Sequence, residues 1–320
     1  MLVRIIKDWD KQDKLLTQTA GESGQWGDIK FTLDPVTECD VVVFTNRIKE
    51  DCQLFCRPGG RWLIQMEPPT PAHRWYRNSD KFFDRIIAPD WRVKKSKHIY
   101  SHGALPWHVD RTYDQLKVME VPNKPCEISM ITSNANYTNG HSFRLQLIDA
   151  LKGVTEIDFD LYGRGFNQID DKMDAHLSYK YSIVIENSFY PHYWTEKLSD
   201  CLLSFTIPIY IGAQNIADYL PQGSFIQVEP DLNKVIKVLK TLHLDRWEDR
   251  MEVLKEARNK ILDEYQLFPL LSNLIDQNIL KEDRKSFEFK ANLAPWEGGK
   301  VSTLRKVEYQ FRKLFNLKPF

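Results

Sequence analysis

Glu186 and Asn187 close the apolar, β-branched run Ile183-Val184-Ile185, and a few residues later Thr195-Glu196-Lys197 open a segment in which Leu198, Cys201, Leu202 and Phe205 recur at helical spacing. The first run reads as a strand buried on both faces and the second as a helix with Thr195 as its N-cap. Ile207 to Ile211, closed by Gly212, reads as the next buried strand. The polar groups of this β-α-β unit therefore gather at the strand's carboxyl end and the helix's amino end, where open α/β sheets bind ligands. Lys197 falls in the first helical turn, where the helix dipole and free N–H groups favour an anion. A bound phosphate satisfies both the lysine and the helix terminus. The alternative is a solvated Lys197, at a cost of about 0.3–1 kcal/mol.

The ordered motif E-N-S, Y-W-T-E-K and I-P-I-Y-I-G, followed by Y-L-P-Q-G-S-F-I-Q-V at Tyr219 to Val228, resembles the donor-binding signature of the α-1,3-fucosyltransferases, glycosyltransferase family 10. The resemblance implies an inverting enzyme that transfers L-fucose from GDP-β-L-fucose to a glycan hydroxyl, with an α-1,3 linkage to GlcNAc or Glc as the expected product. It implies that Asn187 lies near the donor, that Glu196 binds its sugar and ribose, and that Tyr193 stands beside the nucleotide. Glu186 either joins this donor set or only fixes its loop by accepting backbone N–H bonds. Another nucleotide sugar on the same fold, and a nucleotide- or carbohydrate-binding protein without turnover, are the competing readings.

Substitution at an anomeric carbon sets three tasks: stabilising the leaving diphosphate, removing the acceptor proton and holding both in line. Arg144, in S-N-A-N-Y-T-N-G-H-S-F-R, is the second cation for the diphosphate. The resembling family has an arginine in a comparable position, and a planar guanidinium can make paired, charge-assisted bonds to phosphate. A helix-surface arginine is the alternative. Glu67, before Pro68-Pro69-Thr70-Pro71, is similar to the family's M-E-S-P segment and is the candidate base; a structural glutamate tied to the proline turn is the alternative. Trp75 and Tyr76 are the acceptor-side candidates among the aromatics of the first domain, most of which are expected in the core. His98, His102 and His108 share no register that suits a metal and are expected to be structural or acceptor-side. No metal and no cofactor beyond the GDP-fucose donor is expected, because protein cations and helix dipoles can stabilise the diphosphate.

These groups need a scaffold. The 320-residue chain balances 44 Lys and Arg against 44 Asp and Glu, so no overall charge bias points to nucleic acid. Strands are expected at 3–6, 40–44, 62–66 and 85–88, then at 127–131 and 157–162, with a helix near 142–151 and a mostly helical region over 230–280. Pro122-Asn-Lys-Pro125 reads as a linker. The expected architecture is α/β: two Rossmann-like domains facing a cleft, the GT-B-type fold of the resembling family. The expected division is an acceptor-side domain at 1–122, a donor domain at 123–290 and a basic tail at 291–320. Five irregularly spaced cysteines fit free thiols in a reducing compartment, and Cys52 and Cys56 are expected to be structural. The chain has no apolar run of membrane-spanning length and its start reads as a strand rather than a signal peptide; because animal members of the resembling family carry a membrane anchor, the resemblance then implies the soluble, bacterial-type form, expected to be cytoplasmic. Over 300–320, Leu304, Val307, Phe311, Leu314 and Phe315 recur at helical spacing among Lys and Arg. This basic amphipathic stretch suits either docking on an anionic membrane or packing back on the first domain.

Overall fold

The computed structural model describes residues 1–9, 14–136, 138–275, 279 and 281–294. In the first part of the chain the Val41-Val-Val-Phe run, wholly buried, forms a central strand of a mainly parallel sheet. The strands are β1 (Leu2–Ile6), β2 (Gln25–Trp26), β3 (Ile29–Thr32), β4 (Val41–Thr45), β5 (Cys52–Cys56), β6 (Arg61–Ile64), β7 (Arg85–Ala88) and β8 (His98–Tyr100). Seven of them pair in the order β2-β3-β1-β4-β6-β7-β8, with only β2 antiparallel to its neighbour. The strands expected near 3, 40, 62 and 85 are all present. β2, β3, β5 and β8 were not foreseen; the exposed positions interleaved in β3 and β5 blur the apolar run.

The next stretch builds a second sheet. Its elements are α1 (Tyr113–Lys117), β9 (Cys126–Ile131), α2 (Asn139–Leu151), β10 (Asp160–Tyr162), α3 (Asp174–Leu177), β11 (Tyr179–Ile185), α4 (Glu196–Leu203), β12 (Ile207–Ile211), β13 (Ile226–Gln227), α5 (Leu232–Thr241) and α6 (Met251–Lys260). The five strands run in the order β10-β9-β11-β12-β13 and all pairs are parallel. From β9 the chain steps outward to β10, then returns to the other side of β9 as β11. The gap between the carboxyl ends of β9 and β11 is therefore the sheet's topological switch point. Thr195 is the N-cap of α4, as expected, and the 230–280 region is mostly helical.

The compact units divide differently from the expected boundaries. One holds Met1–Ala104 and the described residues from Leu267 on; the other holds Leu105–Gln266. Residues 105–122 belong with the second sheet because Trp107, Val109 and Leu116 are buried in its core. The Pro122–Pro125 stretch is likewise no free linker, since Lys124 is only 5% exposed. After α7 (Leu267–Leu274) the chain adds β14 (Lys285–Phe289) antiparallel to β5, and Phe289 packs between Phe44 and Phe83. The tail expected to be basic and amphipathic lies, from residue 295, outside the described residues. Among the described residues no helix is long and apolar enough to cross a membrane.

The carboxyl end of α4 explains why Lys124 is buried. Phe205 takes a left-handed backbone (φ 57°), letting Thr206 N donate to Cys201 O (3.1 Å) and Phe205 N to Leu202 O (3.0 Å), a Schellman-type close. The next carbonyls point inward and are met by side chains: Leu203 by Arg258 Nε (3.0 Å), Ser204 by Lys124 Nζ (2.9 Å) and Phe205 by Trp247 Nε1 (2.9 Å). Lys124 Nζ also donates to His176 O, Leu177 O and Thr206 Oγ1. Lys124→Met strands these buried acceptors and is expected to lower unfolding stability by about 3 kcal/mol in urea titrations; a loss below about 0.5 kcal/mol would show that the cage is not needed.

Candidate functional site

At the switch point of the second sheet lies a cavity of about 360 Å³. Its walls come from the ends of β9 and β11, the first turns of α2 and α4, and the segment before α3. Gly163 allows the end of β10 to close in: it has φ +112°, and a Cβ there would lie 1.9 Å from Thr132 O. Gly140 does the same for α2, since a Cβ would lie 2.0 Å from Glu186 O. Its N–H instead donates to Asn187 O at 3.1 Å, joining the start of α2 to the end of β11.

Glu186 is fully buried and accepts from both Thr195 N (2.8 Å) and Thr195 Oγ1 (2.7 Å). It thereby fixes the N-cap whose hydroxyl meets Lys197 N at 3.4 Å. Burial pushes the Glu186 carboxyl up, against the pull of Lys197 and the two Thr195 bonds. Arg144, on α2, is 4% exposed. Its Nε donates to Ile185 O (3.0 Å), and its Nη2 to the same carbonyl and to Asn187 Oδ1 (2.7 Å). This leaves the two N–H groups of Nη1 with no hydrogen-bond partner among the described residues, on a side chain that lines the cavity. Burial pushes this guanidinium down, while Glu186, Glu196 and Tyr193 pull it back toward its ordinary range.

Lys197 Nζ lies 3.0 Å from Glu196 Oε1 and 3.2 Å from Thr195 Oγ1. Burial opposes ionisation of Glu196, but Lys197, Lys172 and His108 outweigh it and hold the carboxyl well below the usual range. Lys172 bridges Glu196 (3.4 Å) and Asp200 (3.2 Å). Burial pulls the Lys172 amine down, yet those two carboxylates carry it above its ordinary value. The lining includes four cations, Arg144, Arg164, Lys172 and Lys197, and one carboxylate, Asp200.

The structure brings Arg144, Asn187 and Lys197 together on this lining. Glu186, Tyr193 and Glu196 are buried and are not among the residues that line it. Glu186 holds the helix cap and Glu196 anchors the two lysines, so both support the wall rather than form it. Sequence reasoning missed Lys172, Asp200, Arg164, His141 and His176. Asp200 was reachable, being one turn beyond Glu196 on a foreseen helix; Lys172 sits in an aperiodic Asp-rich loop that gives no signal.

In the first unit, Glu67 follows β6 and is exposed, with a Glu67 carboxylate oxygen 3.9 Å from His73 Nε2. Asn46, at φ 51°, accepts from Met66 N (2.8 Å) and so fixes the residue before it. Glu67, His73 and Tyr76 line one small depression. Trp75 stacks on Tyr76 at 4.1 Å, and Asn292 Nδ2 donates to the backbone oxygens of both. His98 faces Asp80 (3.6 Å) and His102 Nδ1 accepts from Ala104 N, whereas His108 belongs to the second unit and approaches Glu196 (3.7 Å) within it. All five cysteines are free, with Cys52 and Cys56 at the two ends of β5.

Residues 121–252, which contain the whole cavity, match glycosyltransferase family 10 (fucosyltransferase), C-terminal part. The chain is 31% identical over 136 residues to a putative fucosyltransferase-like protein of Arabidopsis thaliana, covering 41% of this chain and 26% of that protein. It is 32% identical over 130 residues to the human 4-galactosyl-N-acetylglucosaminide 3-alpha-L-fucosyltransferase 9, covering 39% and 34%. It is 30% identical over 180 residues to a Bos taurus 3-galactosyl-N-acetylglucosaminide 4-alpha-L-fucosyltransferase, covering 54% and 46%. The chain thus spans less than half the length of each of these relatives. Its fold resembles that of an alpha1,3-fucosyltransferase (TM-score 0.51, 18% identity, 88% of this chain and 90% of the other). It also resembles a glycosyltransferase from Rickettsia africae ESF-5 (TM-score 0.52, 11% identity, 88% and 99%). The fold, with its two Rossmann-like sheets, is of the GT-B type, and residues 121–252 of the second unit are similar to glycosyltransferase family 10.

Proposed function

We propose that this chain is an inverting fucosyltransferase that takes L-fucose from GDP-β-L-fucose and forms an α-1,3 linkage to a GlcNAc or Glc unit of a glycan. The observation that carries the reading is the cavity at the β9–β11 switch point: cations predominate on its lining, a buried guanidinium there keeps two uncommitted N–H groups, and the family match falls on it. In this reading Arg144 Nη1 and Lys197 Nζ receive the diphosphate beside the amino ends of α2 and α4, where helix dipoles favour anions. Charge developing on the departing GDP is met by groups already in place, so little reorganisation accompanies bond cleavage. Asn187 orients Arg144 through its amide oxygen. Glu196 keeps both lysines in position.

Inversion takes a single displacement. The acceptor oxygen bonds to the anomeric carbon from the face opposite the diphosphate, the bond to the diphosphate oxygen breaks with its electron pair, and the acceptor proton passes to Glu67. Exposure of Glu67 on a backbone fixed by Asn46 suits that task. Trp75 and Tyr76, stacked and held by Asn292, offer an apolar face for an acceptor sugar. The tail at 300–320, rich in Lys and Arg, is proposed to bring the enzyme to an anionic membrane surface bearing its acceptor.

Lys197→Ala is expected to weaken GDP binding and to reduce turnover by a factor corresponding to about 2.7–4 kcal/mol, with little change in melting temperature. Calorimetric titration with GDP and a transfer assay check this; unchanged affinity and turnover in the folded variant would remove the diphosphate assignment. A thermal-shift series should show stabilisation by GDP well above that by UDP or CMP, and equal shifts would favour another nucleotide sugar.

Glu67→Gln keeps shape and loses the proton-accepting charge, so GDP-fucose should bind as before while transfer collapses. Wild-type turnover places the base elsewhere, and an equal loss of donor affinity points to a structural role. Truncation after Gly299 should abolish sedimentation with anionic vesicles at low salt and leave the melting temperature unchanged; loss of folding on truncation would mean that the tail packs on the protein.

A further inference from the structure

One buried polar group on the cavity wall has no task in the reaction described above. His176, on α3, is 3% exposed and lines the cavity, and its Nδ1 is buried with no hydrogen-bond partner among the described residues. Leaving such a group unmet costs about 1–3 kcal/mol, so its presence asks for an explanation. Its backbone carbonyl is tied to Lys124 Nζ at 3.0 Å and Thr206 Oγ1 at 2.9 Å, which fixes the residue and leaves the ring committed to nothing. Burial, with Lys124 and Lys172 nearby, pushes the imidazole down to about 3. It is therefore neutral at working pH, with one ring nitrogen donating and the other accepting.

The placement says which kind of group it would meet. α3 ends just before β11 begins, while Arg144 and Asn187 meet at the far, carboxyl end of that strand. The His176 end of the cavity therefore lies toward the start of β11, away from the guanidinium. Asp200 shares this lining, while the Ser182 hydroxyl, also of a lining residue, is already committed to Ser129. Asp200 Oδ1 accepts from His108 N (2.8 Å) and its Oδ2 from Lys172 (3.2 Å), which leaves acceptor capacity on both oxygens. A neutral imidazole and a carboxylate whose charge is matched by Lys172 form a set of mixed donors and acceptors. That set suits hydroxyl groups and offers little to a diphosphate.

We propose that His176 is a specificity-determining contact that hydrogen-bonds a sugar hydroxyl of the bound nucleotide sugar, at the end of the cavity remote from the diphosphate. This deepens the donor-site reading given above and rests on it. The hydroxyl can come from the ribose or from the transferred sugar, and the two sources separate by experiment.

The test compares wild type with His176→Leu and His176→Gln. If the ring is kept for the ligand, His176→Leu removes an unmet buried nitrogen, so the ligand-free melting temperature should hold or rise. Affinity should nevertheless fall about tenfold, and His176→Gln, which retains a donor and an acceptor, should recover part of it. A loss seen with GDP-fucose but not with GDP assigns the contact to the transferred sugar. A loss shared by both, and absent when either 2′-deoxy-GDP or 3′-deoxy-GDP is titrated, assigns it to the ribose. Unchanged affinity for all of these ligands overturns the proposal, as does a loss that persists with both deoxy nucleotides or a fall in melting temperature without any change in binding. A wild-type chain that binds neither GDP nor GDP-fucose overturns the donor reading itself, and this inference with it.

Discussion

The carboxyl end of β11 buries a carboxylate and a guanidinium, and the second unit's site is built around the need to satisfy both. Glu186 is met by Thr195 N and Oγ1, and Arg144 by Ile185 O and Asn187 Oδ1. Each bond joins β11 to one of the two helices whose amino ends flank the cavity. A buried charge left unmatched costs several kcal/mol, so neither helix can shift without exposing that cost. The strand end thus sets the positions of α2 and α4 together, and with them Arg144 and Lys197.

A second layer keeps the surplus of positive charge from being self-defeating. Four cations on one wall repel each other and would favour opening the cavity. Glu196 and Asp200, both almost wholly buried on α4, take up part of that charge through Lys172 and Lys197. Among the described residues, what remains unmet on this wall is the two N–H groups of Arg144 Nη1, the remaining proton of Lys197 Nζ and the exposed Arg164 guanidinium. A cavity so arranged holds its donors ready for an anion at little reorganisation cost.

Much of this arrangement was legible in the sequence because it follows from local rules. A β-branched run ended by Glu-Asn, a Thr N-cap and a helical apolar period place β11, α4 and Lys197 with no tertiary information. The chain's division was not legible. Pro122–Pro125 has the composition of a linker, yet Lys124 is drawn inward by four acceptors, all of them from residues more than fifty positions away. The return of β14 to β5 depends on Phe289 fitting between Phe44 and Phe83, which no spacing announces. In the site, Glu186 takes the second of the two roles read for it, fixing the loop by accepting from Thr195, and Glu196, read as a sugar and ribose contact, is buried against Lys172 and Lys197. Lys172 and His176 lie on aperiodic or very short elements, and only the fold brings them to the cavity.

The most direct measurement is a crystal structure of the chain with GDP bound. The account predicts a diphosphate at the β9–β11 switch point, with oxygens about 3 Å from Arg144 Nη1 and Lys197 Nζ and the Glu186–Thr195 bonds unchanged. GDP seated elsewhere on the protein, or in this cavity with its diphosphate turned away from both cations, would contradict it.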